Sequence, residues 1–322
     1  MFALQDLLDK EIKNNVKIAL AEDVGEGDLT ADLIPQDQIA NANVICRENA
    51  VICGIQWFNN AILLLAKQLN QQNSNQNSNQ NSNLQNIQKN IQIDWFCKDG
   101  DFVAANTLLC KISCPAKILL SAERTALNFL QTLSGVATKT KHFVDIVKNS
   151  TNGSSQSQIV DTRKTIPGLR IAEKYAVYCG GGQNHRIALW DAILIKENHI
   201  IAAGGIANAM QKAKIIAEQN DNRCKFIQVE VENLQELETA INCGAKMILL
   251  DNFSVEDLYK AVEIVKKNQQ NLVENSEKII LEISGNVNEN TLPELAKIGI
   301  DRISIGALTK DIKSIDLSMR FV

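Results

Sequence analysis

Leu4, Leu7, Leu8, Ile12, Val16 and Leu20 recur every three or four residues, with Asp6, Asp9, Lys10, Glu11 and Lys13 between them. One apolar stripe on a polar cylinder predicts an amphipathic helix over residues 3–22, ended by Gly25 and Gly27. Residues 42–53 read as strand and 57–68 as helix. The pattern then lapses. Residues 69–90 are mostly Gln and Asn, with QNSN repeated from Gln76. Such a tract buries too little apolar surface to offset the entropy of ordering, so a disordered surface insertion is expected. Strands are expected near 91–97 and 107–113, joined through Lys98-Asp99-Gly100. Helices are expected over 117–133 and 136–148.

From about residue 157 the chain alternates strand and helix. Candidate strands are Gln158–Asp161, Ala192–Lys196, Phe226–Val231, Met247–Asp251, Ile279–Ser284 and Arg302–Gly306. Helical segments such as Val255–Lys267 and Asn290–Lys297 separate them. This alternation implies a parallel sheet, with a barrel as the first reading and a doubly wound open sheet as the second. Each strand ends on a polar residue or glycine: Asp161, Lys196, Glu230, Asp251, Ser284 and Gly306. In (β/α) barrels the chemistry sits at that end, where the loops converge.

Composition narrows the choices. At 322 residues the chain fits one large domain, or one large and one small. A net charge of −4 argues against a broad basic face for nucleic acid, so an anionic ligand needs a local cationic cluster. The eight cysteines show no two-residue spacing and sit mostly in apolar runs, as buried thiols of a reducing compartment do. Residues 1–22 are too charged for a signal peptide, and no apolar run is long enough to cross a bilayer. A cytoplasmic protein without a membrane partner is expected.

The densest chemistry lies in residues 161–200, which hold Arg163, Lys164, Arg170, Lys174, His185, Arg186, Lys196 and His199. Cations from three strand-end loops would converge there, and arginine forks match planar carboxylates. The plainer reading is a solvated, charge-balanced surface. A second group, Glu230 and Asp251, stands at the ends of successive strands. Such carboxylates suit ribose hydroxyls or a Mg²⁺ that carries pyrophosphate; structurally, they would pair with Lys164 or Lys196. Glu232 shares the parity of Glu230 but falls past the strand end. A third group, Ser284-Gly285-Asn286 with Gly306, follows the last two strands, where barrel loops hold phosphate through backbone N–H groups; otherwise these are ordinary turns. Arg124 follows Glu123 early in a helix, and composition alone leaves it on the surface.

Taken together, the chain resembles the quinolinate phosphoribosyltransferase family, the carboxylating nicotinate-nucleotide pyrophosphorylases. The likeness runs from EDVGEGDLT (22–30) and ERTALNFLQTLSGVAT (123–138) through DTRKTIPGLR (161–170), GGGQNHR (180–186) and LIKENHI (194–200). It closes with VEVE (229–232), LLDN (249–252), ISGNV (283–287) and ISIGALT (303–309). The resemblance implies an α/β sandwich domain over residues 1–124, rejoined by 309–322, and an open seven-stranded α/β barrel over 125–308. It implies that quinolinate and phosphoribosyl pyrophosphate become nicotinate mononucleotide, pyrophosphate and carbon dioxide, with Mg²⁺, for NAD synthesis. Rival readings are a paralogous phosphoribosyltransferase of the same fold and a non-catalytic phosphate-binding barrel. By the same match Arg163, His185, Arg186 and Lys196 hold quinolinate. Lys164, Glu230 and Asp251 serve phosphoribosyl pyrophosphate and its Mg²⁺, and Ser284, Gly285, Asn286 and Gly306 take its 5′-phosphate. A homodimer with shared sites is implied, or a hexamer, with the arginine matching Arg124 supplied by the neighbour. Two departures stand out: Asn286 occupies a place where a second glycine is expected, and the 69–90 insert has no counterpart.

Overall fold

The computed structural model describes residues 2–35, 38–76, 90–270 and 277–322. The chain sorts into two compact units. The first comprises Met1–Lys139, Ile166–Gly181 and Asp311–Val322; the second comprises Thr140–Thr165 and Gly182–Lys310.

In the first unit, helix α1 (Phe2–Asp23) buries Leu8, Ile12, Val16 and Leu20, the stripe expected from their spacing. The extended segment after it breaks at Arg47 into strands β1 (Ile39–Cys46) and β2 (Ala50–Val51). Helix α2 (Ile55–Gln76) outruns its expected end at residue 68 and takes in the start of the Gln/Asn tract. Extending a nucleated helix costs little even through indifferent residues. The rest of the expected insertion, 77–89, lies outside the described residues. Strands β3 (Gln92–Trp95), β4 (Phe102–Val103) and β5 (Thr107–Pro115) follow.

Where two helices were expected, 117–133 and 136–148, there is one: α3 (Ala116–Ser150). Ser134-Gly135 reads as a helix break. Gly135 instead stays helical, and a Cβ there would stand 2.3 Å from the carbonyl oxygen of Lys313. Its missing side chain admits another stretch of backbone rather than ending the helix.

The second unit is a parallel sheet. Its strands are β6 (Gln158–Val160), β7 (Ile193–Ile195), β8 (Ile227–Val231), β9 (Met247–Asp251), β10 (Ile280–Ser284) and β11 (Arg302–Ser304), in the order β6-β11-β10-β9-β8-β7. Among the described residues six strands are therefore regular, against the seven expected. The seventh position shrinks to a parallel bridge between Val160 and Gln183, where Gln183 N–H donates to the Ile159 carbonyl at 2.8 Å. Between β6 and β7 the chain also forms α4 (Arg170–Cys179), which belongs to the first unit.

Register sets what this sheet carries inside. Val229, Val231, Ile248, Leu250, Leu281, Ile283 and Ile303 share one buried face. Gln228, Glu230, Asp251, Glu282, Ser284 and Ser304 fall on the other, since neighbours in a parallel ladder point the same way. Barrel interiors are usually layers of branched apolar side chains; here Gln228, Glu230, Glu282 and Ser304 are buried polar groups. They require partners, because an unpaired buried polar group or charge is costly.

The last strand, β12 (Leu317–Phe321), returns to the first unit. It completes an antiparallel sheet in the order β12-β1-β5-β3. Among the described residues no helix is long and apolar enough to cross a membrane, and all eight cysteines are free.

Candidate active site

The loop after β6 is built from its own polar atoms. Asp161, fully buried, accepts the main-chain N–H of His185 at 2.9 Å and the Asn184 amide at 2.7 Å. This strand-end carboxylate thus shapes the loop that carries His185 and Arg186. Asp191 closes the same loop by accepting the Ile187 and Ala188 N–H groups, each at 2.9 Å, with Lys225 Nζ at 3.3 Å. Burial pushes the Asp191 carboxyl up, but these donors outweigh it and hold it below the ordinary carboxylate range.

Two arginines meet at this loop. Arg186 is buried, and burial first, then the positive charge of Arg163, lowers its pKa; Asp191 and Glu230 oppose that shift. Lys196, just past β7, places its ammonium 2.6 Å from the carboxylate of Glu230 on β8. Arg163, Arg186, Lys196 and Glu230 therefore form one electrostatic cluster, richer in cations than in anions. His185 sits behind it. Its Nδ1 accepts the Arg186 N–H at 2.7 Å, which leaves the ring proton on Nε2, 2.7 Å from Gln228 Oε1.

A second group gathers at the neighbouring strand ends. Ser284 donates to Asp251 at 2.5 Å, consistent with their paired register. Gly285 has φ +92°, and a Cβ there would fall 2.1 Å from Asn252 Oδ1, so only glycine fits. Asn286 has φ 51°, a left-handed conformation that asparagine tolerates. The departure from a second glycine therefore keeps the turn. Lys164 is exposed beside Gly306, where a Cβ would meet its Cδ at 3.0 Å. Its carbonyl accepts the Thr309 hydroxyl at 2.7 Å, tying the loop after β6 to the segment after β11.

Not every candidate joins. Arg124 stands exposed on α3, in the first unit. Glu232 is exposed, and a hydrogen bond to Glu197 raises its pKa. His199 accepts the Lys196 N–H at 3.0 Å and so caps the helix that follows. Glu282 was missed: it is buried on β10, with Ser304 Oγ donating to Oε1, Arg302 Nε 3.3 Å from Oε2 and His185 Nε2 3.5 Å from Oε1. Gln228 was missed as well. Both alternate with apolar neighbours, a pattern that reads as a solvent face but in a barrel also marks the interior.

Comparison with known proteins gives a consistent result. The model of the quinolinate phosphoribosyl transferase N-terminal domain matches residues 28–134, and that of the C-terminal domain matches residues 136–320. A probable carboxylating nicotinate-nucleotide pyrophosphorylase of Bacillus subtilis is 34% identical over 309 residues, covering 96% of this chain and 93% of its own. The nicotinate-nucleotide pyrophosphorylase structure from Francisella tularensis is 42% identical with a TM-score of 0.81, covering 97% of this chain and 96% of its own. The NadC structure from Streptococcus pyogenes is 32% identical with a TM-score of 0.80, covering 97% of both chains.

Proposed function

Since the chain belongs to the quinolinate phosphoribosyl transferase family, we propose that it joins quinolinate to phosphoribosyl pyrophosphate and releases pyrophosphate and carbon dioxide. The product is nicotinate mononucleotide, for NAD synthesis. The observation that carries this reading is the buried Arg186, its pKa lowered by burial and by the adjacent Arg163, in one cluster with Lys196. Like charges are held close only where an anion repays their repulsion, and a planar dicarboxylate suits this set.

Quinolinate takes its carboxylates to Arg163, His185, Arg186 and Lys196, with Arg124 of the partner subunit closing the pocket in a homodimer or a larger assembly. Lys164 meets the pyrophosphate, while Ser284, Gly285, Asn286 and Gly306 receive the 5′-phosphate. The pyridine nitrogen forms a bond to ribose C1 as the C1–oxygen bond to pyrophosphate breaks. Cationic character grows at the sugar, and Glu230 and Asp251 are the carboxylates placed to steady it. The ring nitrogen is then quaternary. It draws off the electron pair left when the adjacent carboxylate departs as carbon dioxide, and water returns a proton to that carbon.

Among the described residues no three His, Cys, Asp or Glu side chains converge to cage a metal. Mg²⁺ would arrive on phosphoribosyl pyrophosphate, and Glu230 and Asp251 are the carboxylates that would meet it. Eight free cysteines support a reducing cytoplasm.

The test is nicotinate mononucleotide formation from quinolinate and from nicotinate, with and without Mg²⁺. Turnover of quinolinate alone, dependent on Mg²⁺, is expected. Preference for nicotinate points to a paralogous transferase, and no turnover with tight phosphate binding points to a non-catalytic barrel.

A further inference from the structure

We propose that Thr309 is a positioning residue for Lys164, and that through it the segment after β11 aims the Lys164 ammonium at the departing pyrophosphate. Lys164 is exposed, and among the described residues its ammonium has no ion-pair partner. A lysine head that nothing pins is placed only as well as its main chain and stem are. Both main-chain polar atoms of Lys164 are held by threonine hydroxyls. Its N–H donates to Thr162 Oγ1 at 3.0 Å, and its carbonyl accepts from Thr309 Oγ1 at 2.7 Å. Its stem lies over Gly306, where an added Cβ would stand 3.0 Å from the lysine Cδ and 3.8 Å from its Cβ. Main chain and stem are thus both seated on the segment Gly306–Thr309.

Thr309 is fully buried, on the short helix Ala307–Lys310. A helical threonine ordinarily returns its hydroxyl to a carbonyl of the preceding turn, where it serves the helix alone. This hydroxyl reaches instead to a residue 145 positions earlier in the chain. The two strands that lead into these loops are already in register, with Arg302 beside Gln158 and Ser304 beside Val160. Strand pairing therefore brings the loops together, and the Thr309 hydroxyl fixes their separation at the end where the chemistry occurs. Without it the Lys164 carbonyl turns to water, and the loop gains freedom where the lysine leaves it. A displaced ammonium forfeits charge stabilisation as the C1–oxygen bond breaks, which is a loss in kcat. Quinolinate is met mainly by groups on other loops, Arg186 and Lys196, so its KM moves little.

The kinetic half of this inference rests on the quinolinate reading; the seating of the lysine does not. The experiment compares Thr309→Val, which keeps the shape and removes the hydroxyl, with Thr309→Ser, which keeps the hydroxyl. In hydrogen–deuterium exchange of the full-length protein, peptides across 162–168 should exchange roughly tenfold faster in Thr309→Val, about one hydrogen bond's worth, with β11 unchanged. In steady-state kinetics kcat should fall roughly tenfold, and the KM for quinolinate should stay within about twofold. Thr309→Ser should restore both readouts. A folded Thr309→Val whose exchange or kcat equals the parent's overturns the proposal. So does Thr309→Ser as impaired as Thr309→Val, and so does faster exchange spread through β11, which would mark Thr309 as a stabilising residue only. Should Thr309→Val fail to fold, Thr309→Ala against Thr309→Ser isolates the hydroxyl by the same two measurements. An error in the substrate reading appears differently: the exchange contrast at 162–168 persists, while the parent does not turn over quinolinate.

Discussion

The ammonium of Lys196 and the carboxylate of Glu230 lie 2.6 Å apart, with Glu230 buried and Lys196 half exposed. The pair joins the two halves of the site, since Lys196 is assigned to quinolinate and Glu230 to the reacting sugar. Glu230→Gln should lower kcat about a hundredfold, by removing charge that matters as the sugar becomes cationic. Quinolinate binding, measured alone by calorimetry, should hold or tighten, because Lys196 is released from its partner. Weakened binding that matches the loss in kcat would place Glu230 in ground-state recognition instead.

Lys164 and Arg186 should fail in different ways. Arg186 is buried within the cationic cluster proposed to take the quinolinate carboxylates, so Arg186→Ala should mainly raise the KM for quinolinate. Lys164 is exposed beside Gly306, so Lys164→Ala should mainly lower kcat, as loss of a transition-state contact does. Steady-state kinetics with each substrate varied in turn separates the two; identical effects count against the assigned roles.

Arg124 tests subunit sharing. Arg124→Ala and Lys164→Ala should each be inactive alone. A mixed dimer, purified through two different tags, then holds one site with both defects and one with neither, and about half of the parent activity should return. If the doubly tagged species stays inactive, Arg124 serves its own chain.

Glu173, fully buried on α4, accepts the Ile166 N–H at 3.2 Å, and burial pushes its pKa up to about 8 despite this bond and nearby Arg170. A carboxyl raised in the folded state binds its proton more tightly there than in the unfolded chain. Its contribution is therefore whole below the unfolded value near 4.5 and fades as pH rises towards 8. Glu173→Gln, uncharged throughout, should flatten that decline and gain up to a few kcal/mol relative to the parent at pH 8. Thermal melts at pH 5 and pH 8 measure it; an unchanged pH slope would show that Glu173 is not its source.

The parallel strands were legible because each joins an apolar body to a polar or glycine end, and Lys196, Glu230, Asp251 and Ser284 do lie at the mouth. Asp161 shows the limit of that signal: the same strand-end position serves a loop's own hydrogen bonds. Gly135 misled because a glycine needed for close backbone contact looks, in sequence, like one that ends a helix. Gln228 and Glu282 were hidden by their alternation with valine, leucine and isoleucine, which cannot say whether the polar face meets water or a barrel interior. The hydrogen bond between His185 and Gln228 spans 43 residues of chain, and no local pattern encodes it.

Strand β12 has a consequence for how the chain is made. It pairs with β1 from Ala42–Phe321 to Cys46–Leu317, so the first sheet draws one of its outer strands from a segment synthesised long after the strand it pairs with. Until translation reaches Leu317, β1 presents an open edge on that side, of the kind that invites pairing with a foreign strand. The second unit, complete by Lys310, has all its residues before the first does. The order of completion is the reverse of the order of emergence from the ribosome, and the nascent chain's exposure to misassembly is concentrated in the interval before Leu317–Phe321 arrives.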